Sequence, residues 1–181
     1  ETAVQIIEAL RMAHVKIPVV YNTGGYELAR CIAELEGLVQ IYLPDFKYMD
    51  PWLAGRYSAA PDYPDVAKSA LAEMVRQQPK VLFDAGGMMR RGVMVRHLVL
   101  PGHTDDSKRV IRYLYETYGD KIYLSIMNQF TPNEGCPELC RPVTEKEYDE
   151  VVDYALSLGV TKAFIQEGGT VDESFIPEFE I

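Results

Sequence analysis

Five short apolar runs alternate with five amphipathic segments along this chain, and that alternation constrains the fold more than any other feature. The runs lie at Ile17–Thr23, Val39–Phe46, Gly92–Leu100, Lys121–Asn128 and Thr161–Gln166. Before and between them, apolar residues recur at helical spacing over Ala3–His14, Tyr26–Glu36, Val66–Gln77, Asp105–Tyr118 and Thr144–Leu158. Strands that are apolar on both faces need cover on both, so the pattern predicts a parallel sheet with helical crossovers. Local signals agree. "TEKEYDEVVDYALSLG" has Thr144 as an N-cap, Glu147 three residues on, and Gly159 as a stop. One stretch breaks the rhythm: Val81–Asp84 and Met88–Arg91 flank Ala85, Gly86 and Gly87, which reads as a β-hairpin insertion. The fold class expected is α/β, a partial TIM-type (β/α) barrel of parallel strands with a hairpin insertion.

Composition narrows the function classes. With 181 residues and 48% hydrophobic content, the chain can bury one sizeable core. A formal charge of −9 argues against a nucleic-acid partner, which needs clustered Lys and Arg. No apolar run reaches the roughly 20 residues of a membrane span and no signal peptide is visible, so a cytoplasmic protein is expected. Cys31, Cys136 and Cys140 make no disulfide framework. Cys136 and Cys140 have Cys-x3-Cys spacing, but two thiolates fall short of the three or four usual for an iron–sulfur cluster or structural zinc. The chain begins inside a helical pattern with no initiator Met, and reads as cut from something longer.

Several apolar runs end in polar clusters, and function in such barrels collects at the C-terminal strand ends. "YNTGGYE" ends the first run in Asn22 and Thr23 before two glycines that let backbone approach a ligand. In "IYLPDFKYMD" an acid and a base, Asp45 and Lys47, stand two apart and share a face. Pro44 conflicts with a central strand, so this strand is expected to bulge or end at Leu43. Arg96 and His97 interrupt an apolar run and face opposite sides; Arg96 needs a carboxylate, a carbonyl or a ligand anion, and Asp45 or Glu167 could pair with it within the fold. His97 reads as a satisfied core or helix-facing histidine, His103 as a loop or cap residue. Ser125, Asn128 and Gln129, then Gln166 and Glu167, are polar groups at the later strand ends.

Taken in order, "YNTGGYE", "YLPDFKYMD", "YSAAPDYPDVA", "VRHLVLPGH" and "SIMNQFTP" resemble the pyruvate formate-lyase activating enzyme branch of the radical S-adenosylmethionine superfamily. The resemblance covers nearly the whole chain and is nearer to uncharacterised members than to the activating enzyme itself. It implies a partial barrel in which a Cys-x3-Cys-x2-Cys loop holds a [4Fe-4S] cluster and S-adenosylmethionine is cleaved reductively to a 5′-deoxyadenosyl radical. Neither that cysteine loop nor the family's Gly-Gly-Glu segment occurs here. The first strand resembles the family's third, so residues 1–181 are expected to be the C-terminal part of the barrel, with the cluster cysteines upstream of Glu1 and this piece alone inactive.

By the resemblance, Asn22, Thr23, Asp45, Lys47, Arg96 and Gln129 fall around the cofactor. Asn22 and Thr23 match the strand end near its carboxylate, where the activating enzyme has Asp and Thr. Asp45 and Lys47 match the family's Asp-x-Lys, and Arg96 its strand-five arginine. Gln129 falls near the position of a late histidine. Implied partners are a glycyl-radical enzyme or other protein substrate and an electron donor such as flavodoxin. Two other readings stand beside it: a cluster-free barrel aldolase or isomerase with Lys47 as nucleophile, and a non-catalytic module that binds S-adenosylmethionine or peptide.

Overall fold

Burial alternates residue by residue along the two central strands, and this sets the architecture. In Met89–Leu98, Val93, Val95 and His97 are buried while Met94, Arg96 and Leu98 are half-exposed. Ile122–Met127 repeats the pattern, with Ile122, Leu124 and Ile126 buried and Tyr123, Ser125 and Met127 half-exposed. One face therefore packs under helices and the other stays open, so the strands are not covered equally on both faces. A computed structural model describes residues 2–12, 14, 17–132 and 135–165. Gln166 and Glu167 lie outside the described residues.

The elements are α1 (Thr2–Met12), β1 (Val20–Thr23), α2 (Ala29–Ala33), β2 (Ile41–Pro44), α3 (Pro51–Ser58), α4 (Tyr63–Gln77), β3 (Leu82–Phe83), β4 (Met89–Leu98), α5 (Thr104–Tyr118), β5 (Ile122–Met127), α6 (Glu145–Ser157) and β6 (Ala163–Ile165). The six-stranded sheet has the order β1-β2-β4-β5-β6, all parallel, with β3 antiparallel against the start of β4. The partial-barrel α/β expectation holds. The hairpin is present, but its second strand is the beginning of β4 itself. Asp84 closes its turn by accepting from Gly86 and Met88 amides at 2.9 and 3.0 Å.

The core lies between the sheet and α2, α4, α5 and α6. Ile32, Tyr42, Leu71, Met74, Ile111, Leu114 and Val151 meet there, each at most 2% exposed. Each fully buried side chain of this kind contributes about 1.5–3 kcal/mol. The first-strand expectation shrinks to Val20–Thr23, and the helix expected over Tyr26–Glu36 is regular only over Ala29–Ala33.

Pro44 acts differently from a simple strand stop. It pairs with Thr23 on the β1 side, where no amide is needed from it. On the β4 side the ladder runs through Ile41 and Tyr42, lapses, and returns as a bridge between Asp45 and Arg96. Even-numbered β2 residues serve that side, as the Phe46 amide shows by donating to the Arg96 carbonyl at 2.8 Å. Proline has no N–H to give, so the lapse falls where its amide would have bonded.

Glu147 fastens the C-terminal half. It completes the capping box of α6 with Thr144, takes two bonds of 2.7 Å from Arg141 and accepts from the Gly102 amide at 2.7 Å. The Arg141 guanidinium, helped by the Thr144 and Gly102 amides, holds the Glu147 carboxyl well below the usual range. A depressed folded-state pKa means the contribution is full above the unfolded value near 4.3 and fades as pH falls through the folded value. Glu147→Ala is expected to lower stability by about 2 kcal/mol near neutral pH and to lose less as the pH drops below about 4. Urea unfolding at pH 7 and pH 3 checks both statements.

Candidate functional site

Three adjacent strands end at one place on the open face. Arg96, from β4, reaches across β2 to β1. Its Nη2 lies 2.7 Å from Asp45 Oδ1, its Nε donates to the same oxygen at 2.9 Å, and Nη2 also donates to Asn22 Oδ1 at 2.8 Å. Arg96 and Asp45 side chains are 27% and 24% exposed, so the pair is partly desolvated yet open to a ligand. Lys47 is exposed beside them, and its ammonium has no hydrogen-bond or ion-pair partner among the described residues. The Asp45 and Arg96 charges offset one another, so Lys47 leaves this end with a net positive charge, in a protein of charge −9.

These three charged residues line one end of a cavity of about 470 Å³. Leu98 and Leu100 continue the Arg96 side of the chain into it, Met127 faces them from β5, and Tyr57 closes one flank from α3. Phe130, Thr131 and Leu139, from the segment after β5, complete the far wall. That segment is tied to α3 by an ion pair of 3.1 Å between Glu138 and Arg56.

Thr23 and Gln129 are placed otherwise. The Thr23 hydroxyl donates to Glu27 at 2.6 Å and accepts from the Gly25 amide at 3.1 Å, so it shapes the Gly24–Gly25 turn. Gln129 is half-buried, two residues past β5, and is not among the lining residues. His97 faces the helices, as expected, but its ring is satisfied at one nitrogen only. One ring nitrogen bonds the Phe46 carbonyl at 2.8 Å, and Nε2 is buried with no hydrogen-bond partner among the described residues. Burial pushes its pKa down, which favours the neutral ring. His103 stands at the N-cap position of α5 without a side-chain cap bond, and its ring bonds the Tyr57 hydroxyl at 2.8 Å. Lys47 lacks the desolvated setting that activates a Schiff-base lysine.

Sequence reasoning missed Tyr63. Its hydroxyl donates toward the Gly24 and Asp45 carbonyls at 2.9 and 3.1 Å and accepts from the Lys47 amide at 3.0 Å. It thus pins the ends of β1 and β2 together beneath the site. Its ring, 2% exposed, stacks on Tyr26 and meets Phe46 and Tyr48 edge-on. Burial raises its pKa, keeping the phenol protonated. Tyr63→Phe keeps the ring packing but orphans these backbone groups, and is expected to cost about 2 kcal/mol. Thermal unfolding, with Tyr26→Phe as the exposed-site control, reads this directly. The missed helix α3 had a legible start: Asp50 accepts from the Trp52 amide at 2.8 Å and Pro51 takes the first helical position.

Comparison with known proteins adds three findings. No family model matches the chain. An uncharacterized protein of Methanocaldococcus jannaschii is 26% identical over 153 residues, covering 83% of this chain and 41% of that protein. The chain therefore spans about two fifths of that relative's length. Among solved structures, a domain of pyruvate-formate lyase-activating enzyme from Bacteroides vulgatus superposes with a TM-score of 0.62 at 14% identity, covering 90% of this chain and 89% of that one. What the two share is the fold: a mostly parallel α/β sheet of partial-barrel type like that of an activating-enzyme domain.

Proposed function

We propose that residues 1–181 are the C-terminal part of a radical S-adenosylmethionine protein resembling glycyl-radical-enzyme activases, and that Asp45, Lys47, Arg96 and Asn22 hold the cofactor's carboxylate and ribose. The observation that carries this reading is the chain of contacts from Asn22 through Arg96 to Asp45 at three adjacent strand ends, with the Lys47 ammonium beside it, unpaired among the described residues. A zwitterionic nucleoside needs both signs within a few ångströms. Lys47 and Arg96 suit a carboxylate, and Asp45 and Asn22 offer acceptors to ribose hydroxyls. Thr23 serves by shaping the adjoining turn.

The residues present do not fit an iron–sulfur cluster. Among the described residues no group of His, Cys, Asp and Glu could hold a metal ion. The reading therefore puts the cluster thiolates in a longer protein, and no step through a cluster is assigned to this chain. When bound there, a [4Fe-4S] cluster would supply the electron for reductive cleavage. The chain's own groups bind and orient the nucleoside. A partner glycyl-radical enzyme and an electron donor such as flavodoxin follow from the same resemblance. No helix among the described residues is long and apolar enough to cross a membrane.

The test is made on the protein encoded by the complete gene, reconstituted anaerobically with iron and sulfide and reduced with dithionite. Formation of 5′-deoxyadenosine from S-adenosylmethionine, reduced at least tenfold in Arg96→Gln, is expected. Absence of that product from a protein carrying a fully assembled cluster would overturn the reading.

A further inference from the structure

Tyr48 lines the 470 Å³ cavity and is 6% exposed. Its ring meets that of Tyr63 edge-on, with centroids 5.6 Å apart, and Tyr63 in turn stacks on Tyr26 at 5.9 Å with the planes 18° apart. Tyr26 is 48% exposed, so three phenols in contact lead from the cavity to solvent. Their hydroxyls differ in what can take a proton. The Tyr63 hydroxyl donates toward the Gly24 and Asp45 carbonyls, which are not bases. The Tyr48 hydroxyl bonds that of the exposed Ser58 at 3.0 Å. The Tyr26 hydroxyl donates to a carboxylate, Asp62 Oδ1, at 2.6 Å. A phenol becomes a strong acid when it loses an electron, so the carboxylate in contact makes Tyr26 the easiest of the three to oxidise.

We propose that Tyr48, Tyr63 and Tyr26 form a relay that carries an oxidising equivalent out of the cavity to the surface, discharging a carbon-centred radical that fails to reach its substrate. That such a radical arises in the cavity rests on the function proposed above; the relay itself does not. The radical R• takes the hydrogen atom of the Tyr48 hydroxyl, so the O–H bond breaks, R–H forms and a Tyr48 phenoxyl radical remains. One electron then passes from Tyr26 across the Tyr63 ring to that phenoxyl, which regains a proton from solvent through Ser58. The Tyr26 proton moves to Asp62, leaving the radical on Tyr26. A solvent thiol returns a hydrogen atom to Tyr26 and Asp62 releases its proton, so each group ends as it began. Tyr57 also lines the cavity, but its ring meets that of His103 at 5.5 Å and its hydroxyl bonds the same imidazole, so a radical there stays beside the cavity.

A ruthenium polypyridyl photo-oxidant, tethered through Thr131→Cys at an exposed position of the cavity wall, supplies the oxidant without any cofactor. Cys31, Cys136 and Cys140 are replaced by Ser so that a single thiol is labelled. After a flash in the presence of a cobalt(III) acceptor, electron paramagnetic resonance and transient absorption follow the tyrosyl radical. The long-lived radical should be lost in Tyr26→Phe and in Tyr63→Phe, and Asp62→Asn should slow its formation by about tenfold or more. Should Tyr63→Phe fail to fold, Tyr48→Phe interrupts the same path. A radical undiminished in Tyr26→Phe, one abolished by Tyr57→Phe, or one that forms equally well in Tyr63→Phe would overturn the relay. Formation of 5′-deoxyadenosine by the complete protein is read separately. Its absence beside an intact flash-induced radical would remove the proposed source and leave the relay standing; the reverse result would sink the relay alone.

Discussion

Gly25→Ala is expected to lower folding stability by about 3–4 kcal/mol, although it adds one methyl group at the end of an edge strand. Gly25 has φ of 79°, a left-handed conformation that L side chains rarely adopt. The added Cβ would lie 2.2 Å from the Asp45 carbonyl oxygen and 3.2 Å from the Tyr63 hydroxyl. The nearer atom is backbone, so no rotamer change relieves the contact. That carbonyl also accepts from Tyr63, and Asp45 donates its own amide to the Thr23 carbonyl at 2.9 Å. Relief therefore means parting β1 from β2 at the point where Asn22 and Asp45 meet Arg96. Gly24 is the control: its Cβ would meet only Lys47 Nζ, at 4.0 Å, the far end of a flexible side chain. Gly24→Ala should change stability by no more than about 0.5 kcal/mol. Urea denaturation of both variants measures the contrast, and similar midpoints would show that the turn is not the constraint described.

The second large effect separates holding the fold from holding a ligand. Arg96→Gln is expected to cost about 2 kcal/mol, because it leaves the partly buried Asp45 carboxylate without its ion pair and Asn22 without its donor. Lys47→Ala removes an exposed side chain without a partner among the described residues, and should cost less than about 0.5 kcal/mol. Both variants should nevertheless weaken S-adenosylmethionine by about tenfold or more, since each removes a cation from the same end of the cavity. Unfolding curves set beside ligand titrations for the two variants test the split. A destabilised Lys47→Ala, or an Arg96→Gln that binds normally, would contradict it.

Much of this was legible in the sequence, and the reasons are specific. The parallel α/β layout followed from apolar runs alternating with helical periodicity, and α6 was marked by Thr144, Glu147 and Gly159. Asp45, Lys47 and Arg96 stood out because charges near the end of apolar strands demand partners. Asp45 and Glu167 were both legible as partners for Arg96; the choice of Asp45 depends on the register that brings it opposite Arg96. The effect of Pro44 was half legible: the missing N–H was plain, but which neighbour would lose the bond required knowing that β4 lies on that side. Tyr63 left no signal, because three of its contacts are with backbone atoms 16 to 39 residues away. The cavity beside the charged cluster arises only when β4, β5, α3 and the segment from Phe130 to Leu139 meet.

Everything proposed for this site depends on S-adenosylmethionine binding at the Asn22–Arg96–Asp45 cluster with Lys47. Titration of that nucleoside into the native chain and into Lys47→Ala, read by nuclear magnetic resonance at Arg96 Nε and the Asn22 side-chain amide, tests it most directly. The expected result is saturable movement of both signals, with about tenfold weaker binding in Lys47→Ala. Signals that stay fixed as the nucleoside rises into the millimolar range, or equal binding by both proteins, would contradict it.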